Sequence, residues 1–418
     1  MTGKQFPCHD IVTGGHFVTG KHFVTGKQFP SHDIVTGNRF PVTIRRISDC
    51  LPHAMIDAIG FYVSPLLGLA VLVLVSTLYG WISPFRMDYS LYVVLALIIP
   101  SVFLEKKPKE WGKAWLQLCL FATLAALPIL APMLLYHGYN PFTDTFTYLA
   151  QGQWLQSHAF SEKAVASGYH PYLTQVVLYQ TSGSRMGGTF LLGFIQSLLG
   201  LKWSYYAYLP VMGLAFSTGC LALGGIIQQV VPIERKIALA LGLLPAFSSN
   251  GFVFGAEWGF YPQTLGLSFA TGVALLFPYL TQELLEKKLL GFKLWRYVFP
   301  GALCTAALLF AYNEPFPIFA LALGLFLIYV VLTHQHQTKA VLFLLIVYCI
   351  ELLVLINYEA IRMAKNLLQT LSISHGAVIG WPVLWSPVQF LAHAFGMKSP
   401  FTGEFLHLDY VISILLLS

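Results

Sequence analysis

The stretch AIGFYVSPLLGLAVLVLVSTLYGWI, residues 58–82, carries no charged side chain. A helix needs about 20 apolar residues to cross the roughly 30 Å hydrocarbon core of a bilayer, and this stretch exceeds that length. Strands of a membrane barrel would instead alternate apolar and polar residues over about ten positions. The stretch therefore predicts a transmembrane α-helix.

Similar apolar runs recur along the chain, and they predict an all-α, polytopic transmembrane helix bundle of about nine spans. A tenth run begins at Tyr410 and stops with the chain, which indicates a truncated C-terminal portion. The predicted spans cover residues 58–82, 89–104, 114–136, 203–230, 237–254, 262–280, 297–312, 316–332 and 341–358.

The composition agrees with a lipid environment, since 56% of the residues are hydrophobic, 10% are charged and the mean hydropathy is +0.67. Soluble domains carry about 25% charged residues. The net charge of +6 comes from basic residues that flank the apolar runs, which favours membrane loops over a nucleic-acid surface. We expect an integral, multi-pass protein, in the plasma (inner) membrane if it is bacterial, with membrane lipid as a partner and no nucleic acid.

Residues 1–54 differ from the rest, because TGKQFPCHDIVTG at 2–14 recurs as TGKQFPSHDIVTG at 25–37. A unit this short cannot bury a core, since stacking repeats run about 20 to 50 residues. We predict a disordered low-complexity segment at 1–54 and a membrane domain at 55–418, with Met55 as a plausible native initiator.

Basic loops predict the orientation through the positive-inside rule. Residues 45–46 and the loops EKKPKEWGK (105–113) and EKKLLGFKLWR (286–296) should be cytoplasmic. Residues 137–186 then form a long exofacial loop with short interfacial helices, and 359–409 form a second. The apolar run GGTFLLGFIQSLLG (187–200) is short for a span, so we favour an interfacial or re-entrant helix and leave a short crossing open.

Asp144 is the most informative polar residue, because it follows the third predicted span closely and precedes the amphipathic pattern FTYLAQGQWL. A carboxylate there could act as a general base or hold a divalent cation against a phosphate. Asp is also a favoured helix N-cap, and that structural role is about equally expected. The two roles are compatible.

The order of an apolar span, DTFTYLAQGQWL, the pair His170-Pro171 and RMGGTFLLGFIQSLLGLKWSYYAYLPVMGLAFSTG resembles the GT-C glycosyltransferases over about residues 114–230. The resemblance implies transfer of a sugar from a polyprenyl-phosphate carrier to an exofacial acceptor, with Asp144 as the catalytic base or as an acid near a metal and the donor phosphate. The cofactor is not identified by the sequence. A divalent cation such as Mg²⁺ or Mn²⁺ would suit this chemistry.

Several other residues are candidates for substrate binding because the predicted orientation places them on the exofacial side. Glu257 lies among aromatic residues, and Glu314 stands beside two prolines that break a helix. A headgroup-level aromatic belt and a tight turn are the alternative roles for these two segments. The substrate-binding candidates are Tyr148, His170, Arg185, Glu257 and Glu314.

Cations for a lipid phosphate could come from Arg185, Arg362, Lys365 or Lys398, although loop cations more often anchor headgroups. The sequence has no Walker A, GxSxG or HExxH motif, which leaves soluble nucleotide, serine-hydrolase and zincin chemistry without support. Two other classes stay open: a transporter or flippase, and a polysaccharide polymerase or ligase. The oligomeric state is not predicted.

Overall fold

The computed structural model describes residues 54–104, 111–136, 144–170, 172–182, 186–247, 256, 259–287 and 292–373. These residues belong to one compact unit of the chain. Residues 1–53, which include the repeats, and most of the predicted loop 359–409 lie outside the described residues. The described part forms thirteen α-helices: α1 (Ala54–Ile82), α2 (Met87–Leu104), α3 (Trp111–Tyr136), α4 (Asp144–Trp154), α5 (Leu173–Ser182), α6 (Met186–Leu198), α7 (Tyr205–Val230), α8 (Arg235–Gly242), α9 (Tyr261–Lys287), α10 (Phe292–Ala311), α11 (Phe316–Thr333), α12 (Thr338–Ile356) and α13 (Glu359–Ile373).

The predicted all-helical class is confirmed for the described residues, and seven of their helices are long and apolar enough to cross a membrane. By length and composition, these helices indicate a multi-pass membrane protein. The seven candidate spans are Ile59–Ile82, Gly112–Ala131, Tyr205–Val230, Tyr261–Leu285, Lys293–Ala311, Phe316–Thr333 and Gln335–Ile356.

Two predicted spans are not among these seven. At 89–104 the structure has the 18-residue helix α2, and the side chains of residues 98–104 lie outside the described atoms. At 237–254 it has the short helix α8 and the 3₁₀ turn Leu244–Phe247, and residues 248–254 lie outside the described part. Gly242 and Pro245 account for the break, because glycine favours a helix end and proline lacks the amide proton that would continue the helix.

The centre of the bundle consists of α7, α9 and α10, and 72% of each of these spans is buried inside the protein. Helix α9 packs between α7 and α10, and α1 contacts all three. Glycine permits a close approach of α8 to α7, since a Cβ on Gly242 would lie 2.8 Å from the Cys220 carbonyl oxygen. Small residues at such contacts are the usual way in which membrane helices pack tightly.

The short apolar run predicted as an interfacial or re-entrant helix is α6, and eleven of its thirteen residues are buried in the protein. At its start, a Cβ on Gly187 would lie 2.8 Å from both Val73 and Phe310. At its end, the Ser197 hydroxyl lies 3.0 Å from the Ser90 hydroxyl. Its apolar residues therefore fill the protein core at the end of the bundle where α1 and α10 end.

That end of the bundle, called the loop end below, holds the end of α1 and the start of α9. The rings of Trp81 and Tyr358 are 6.3 Å apart, and those of Tyr208 and Tyr261 are 5.4 Å apart. The opposite end carries a second group of described cations. These cations are Arg235, Lys236, Lys293, Arg296 and Lys339.

Candidate functional site

Helix α4, which begins at Asp144, is fixed at the loop end through its first turn. The hydroxyl of buried Thr145 lies 3.2 Å from the Tyr208 hydroxyl and 3.5 Å from the Gly259 carbonyl oxygen. The Tyr208 hydroxyl also donates to the Gly259 carbonyl. These bonds join the start of α4 to α7 and to the turn before α9, so the backbone at Asp144 has a defined position.

Four tyrosines surround this turn and are called the tyrosine cluster below. They are Tyr148, Tyr179, Tyr208 and Tyr261. The centroid of the Tyr148 ring lies 6.4 Å from that of Tyr179 and 6.4 Å from that of Tyr261. Tyr148, predicted to bind substrate, is 3% exposed and belongs to this cluster. Rings at such separations stabilise each other beyond their buried area.

Several buried polar side chains on or near α4, among them Gln151 and Tyr261, have no hydrogen-bond partner within the described part of the chain. Gln151 has neither amide atom bonded, and the Tyr261 hydroxyl is also without a partner. Buried polar groups are usually paired with protein, water or ligand, because leaving them unpaired costs about 1–3 kcal/mol. These groups are therefore available to a water molecule or to a ligand hydroxyl.

Glycines bring α4 and α6 together beside this region. A Cβ on Gly193 would lie 3.1 Å from the Gly152 carbonyl oxygen and 3.0 Å from two carbons of the Phe85 ring. The amide of Gln156 donates to the carbonyls of Gly152 and Gly193 at 3.0 and 2.9 Å. The C-terminal part of α4 is thus held against a buried helix.

A cavity of about 520 Å³ opens nearby at the loop end and is called the loop-end cavity below. It lies between the end of α1, the loop before α5, the end of α5 and the start of α13. Its lining combines aromatic rings with charged and amide side chains. The lining residues are Trp81, Phe160, Ser161, Glu162, Lys163, Gln180, Thr181, Tyr358, Ile361, Arg362 and Lys365.

Arg362 lines the cavity, and its guanidinium group contacts a carboxylate, a backbone carbonyl and two aromatic rings. Its Nη1 donates to Glu359 Oε1 at 3.0 Å and to Oε2 at 3.4 Å, and its Nη2 donates to the Tyr179 carbonyl at 3.4 Å. The guanidinium carbon lies 5.1 Å from the ring centroids of both Trp81 and Phe160. The ion pair is largely withdrawn from solvent, since the two side chains are 13% and 5% exposed.

Glu359 is a buried carboxylate. Burial raises the pKa of its carboxyl group above the ordinary value. The positive charge of Arg362, and hydrogen bonds from Arg362 and Trp81, offset part of that rise. Removal of a charged group from water disfavours its ionised form, whereas a nearby cation favours it. The ion pair lies within α13, and the contacts of its two members with Trp81, Phe160 and Tyr179 join α13 to α1, to the loop before α5 and to α5.

The outer rim of the cavity holds exposed Lys163 and Lys365. The structure shows neither lysine in an ion pair with another described residue. Gln180 holds the loop that carries Lys163, because it accepts from the Ala164 amide at 3.0 Å and donates to the carbonyls of Phe160 and Glu162. The rim thus carries two exposed ammonium groups, and hydrogen bonds from Gln180 fix the loop that carries Lys163.

The structure places the predicted site residues in different environments. Asp144 is the first residue of α4, and its side chain is outside the described atoms. His170 is exposed in a turn after Ser167, and Glu314 is exposed in the turn between α10 and α11. Neither of the latter two lines the loop-end cavity. Three further candidates lie outside the described residues: Arg185, Glu257 and Lys398.

Within the described residues, no group of three or more His, Cys, Asp or Glu could hold a metal ion. The cations Arg362 and Lys365 are brought together at the cavity as lipid-phosphate candidates, but Arg362 is already bound to Glu359. Sequence reasoning missed Trp81, Phe160 and Glu359. Only the spacing of Glu359 and Arg362, three residues apart on a helix, could have indicated their pairing.

The chain matches no family model, no curated protein and no solved structure in the comparisons made.

Proposed function

We propose that the protein is an integral membrane glycosyltransferase of GT-C type, which moves a sugar from a polyprenyl-phosphate carrier to an acceptor at the loop end. The observation that carries the proposal is the position of α4. This helix begins at Asp144 and is held at the loop end by the contacts of Thr145 with Tyr208 and Gly259. Catalytic groups act best when a rigid element fixes their position.

In the proposed reaction, the Asp144 carboxylate accepts the proton of an acceptor hydroxyl. The acceptor oxygen forms a bond to the anomeric carbon as the bond from that carbon to the phosphate oxygen breaks. Polyprenyl phosphate leaves with the bonding electrons, and the configuration at the anomeric carbon is inverted. A positioned general base of this kind accelerates a reaction by about 10²–10⁴-fold.

Binding of the sugar would draw on the buried polar groups beside α4. The amide of Gln151 offers donors and an acceptor, and the Tyr261 hydroxyl offers one of each. Both side chains are fully buried in this structure, so a sugar hydroxyl would pair with them only after a local movement of α4. Tyr148 would then act within the tyrosine cluster by holding the ring of Tyr261 in place.

The test is sugar transfer in membrane vesicles that contain the full chain, with radiolabelled polyprenyl-phosphate sugars as donors. Asp144→Asn should lower transfer by about 10²-fold or more because it removes the base. Asp88→Asn is the matched control, since Asp88 is an exposed carboxylate at the same end, 3.7 Å from Arg86. This control should retain transfer within about twofold.

Equal transfer by wild type and the Asp144→Asn variant would contradict the proposed base. Absence of transfer by well-inserted wild-type protein, with movement of labelled lipid across the vesicle membrane, would favour the transporter or flippase class instead. Membrane insertion of both variants can be checked by protease protection of the loops.

A further inference from the structure

We propose that the loop-end cavity binds the phosphodiester group of an anionic membrane lipid, with Lys163 and Lys365 as the cationic ligands. The inference goes beyond the proposed function, because it concerns a different set of residues from α4 and holds whether or not a sugar is transferred. Three features support it: the net charge of the cavity lining, the exposed apolar side chains around the cavity, and the contacts of Arg362 that fix α13.

The net charge of the cavity lining matches a ligand with one negative charge. The ion pair of Arg362 and Glu359 is neutral, and Lys163, Lys365 and Glu162 together leave a net charge of +1. A phosphodiester carries a single negative charge and is matched by this lining, whereas a diphosphate would exceed it. Lysine ammonium groups on flexible stems bind phosphate as point charges.

Arg362 acts as a positioning residue in this site. Its guanidinium already donates to Glu359 and to the Tyr179 carbonyl and lies against two aromatic rings. These contacts fix α13 against α1 and so set the position of Lys365 on the rim. Lys163 is fixed independently by the hydrogen bonds of Gln180 to its loop.

Exposed apolar side chains on α13 and α1 favour a lipid over a soluble phosphodiester. Tyr358 just before α13, and Ile361 and Leu368 on α13, are 62%, 66% and 68% exposed, and with Lys365 they follow the spacing of one helix face. Ile82 at the end of α1 is 81% exposed. A helix with an apolar face and a lysine is typical of the membrane interface, where the lysine reaches the headgroup region.

The volume also suits a headgroup. At about 520 Å³, the cavity falls within the roughly 300–1,000 Å³ range of small-molecule sites. Trp81 and Tyr358 lie at its wall, and such rings are enriched at the level of lipid headgroups. The phosphodiester would occupy the rim between the lysines, and the acyl or prenyl chains would follow the exposed apolar residues.

The experiment measures lipid affinity of the full-length protein in neutral detergent by the rise in its thermal midpoint, since a ligand that binds the native state stabilises it. The probes are phosphatidylglycerol, zwitterionic phosphatidylcholine, water-soluble glycerophosphoglycerol and a polyprenyl-phosphate sugar. Phosphatidylglycerol should bind more tightly than phosphatidylcholine or the soluble phosphodiester. Lys163→Gln and Lys365→Gln should each weaken its binding about fivefold, and the double variant about 25-fold.

Lys202→Gln is the matched control, because Lys202 is an exposed lysine near the start of α7 and does not line the cavity. It should bind phosphatidylglycerol as wild type does. The charge-conserving pair Lys163→Arg and Lys365→Arg should also retain binding, which separates loss of charge from loss of folding.

Equal phosphatidylglycerol affinity in wild type and the double Gln variant would overturn the proposal. Glycerophosphoglycerol binding as tightly as phosphatidylglycerol would overturn its lipid part and assign the cavity to a free phosphodiester. A further informative result is that the polyprenyl-phosphate sugar competes with phosphatidylglycerol for wild-type protein but not for the double Gln variant. That result would support the site and would identify the sugar donor as one of the lipids that it binds. Loss of sugar transfer in Asp144→Asn with phosphatidylglycerol binding intact would separate this site from the proposed catalytic one.

Discussion

Helices α4 and α13 both lie at the loop end, but different forces hold them. The first turn of α4 is held by hydrogen bonds between uncharged groups, and its C-terminal part contacts α6 through glycines. In contrast, α13 is held largely through one side chain, Arg362, which pairs with Glu359 on the same helix, lies against the rings of Trp81 and Phe160 and donates to the Tyr179 carbonyl. Distributed contacts suit the proposed role of α4 in positioning a reacting group, whereas a single anchor leaves the outer face of α13 exposed for the proposed lipid.

The largest effect should come from removing the anchor of α13. Arg362→Ala leaves the Glu359 carboxylate buried without its cation and should lower the free energy of unfolding by about 3–5 kcal/mol. Denaturant unfolding in detergent measures this loss. Lys365→Ala, an exposed cation on the same helix, should change the same quantity by no more than about 0.5 kcal/mol. Similar losses in both variants would show that α13 has no single anchor.

The contact of α4 with α6 is the next largest. Gly193→Ala places a methyl group 3.0 Å from the Phe85 ring and 3.1 Å from the Gly152 carbonyl, so it should destabilise the protein by about 1–3 kcal/mol. Gly68→Ala is the control, because no atom lies within 4 Å of its added methyl group. A thermal midpoint for Gly193→Ala at or above that of Gly68→Ala would contradict a tight α4–α6 contact.

A smaller effect should follow from loss of the hydroxyl that fixes the start of α4. Thr145→Val keeps the shape but removes the contacts with Tyr208 and Gly259, and it should cost about 1 kcal/mol together with part of the sugar transfer. Thr123→Val removes an exposed hydroxyl that bonds only within α3, and it should leave transfer unchanged. If the two variants transferred sugar equally, the first turn of α4 would not position the reaction.

The smallest effect is a dependence of stability on pH at α13. Because burial raises the pKa of Glu359, the native protein binds this proton more tightly than the unfolded chain does. The contribution of this residue is therefore most favourable below the unfolded pKa, about 4.3, and declines as the pH rises through the native pKa. Glu359→Gln should flatten that decline in thermal midpoints. An unchanged pH profile in the variant would exclude the titration of Glu359 as its source.

Long apolar runs predicted most of the large helices, because the need to cross a bilayer is encoded locally in composition. The short run that forms α6 could not be assigned in advance, since a buried core helix and an interfacial helix have the same apolar residues. The break after Gly242 depended on Pro245, a local signal that the hydropathy pattern concealed.

The candidate sites were less predictable than the fold. Arg362 and Lys365 were proposed as lipid-phosphate ligands from their loop position alone, yet their roles differ because Glu359 neutralises only Arg362. Trp81 and Phe160 come from distant parts of the chain and meet Arg362 only after the helices pack. Asp144 remains a prediction, since the structure fixes the helix that it begins and describes nothing of its carboxylate.

The peripheral helix α11 has a consequence for the choice of membrane. Only 6% of this 18-residue span is buried inside the protein, so most of its apolar surface is exposed in the structure. Its length of about 27 Å is slightly less than the roughly 30 Å hydrocarbon core. Such a hydrophobic mismatch is relieved by local thinning of the bilayer or by a change in helix position. Changes in bilayer thickness should therefore act first on α11, while the buried helices that support the loop end keep their packing.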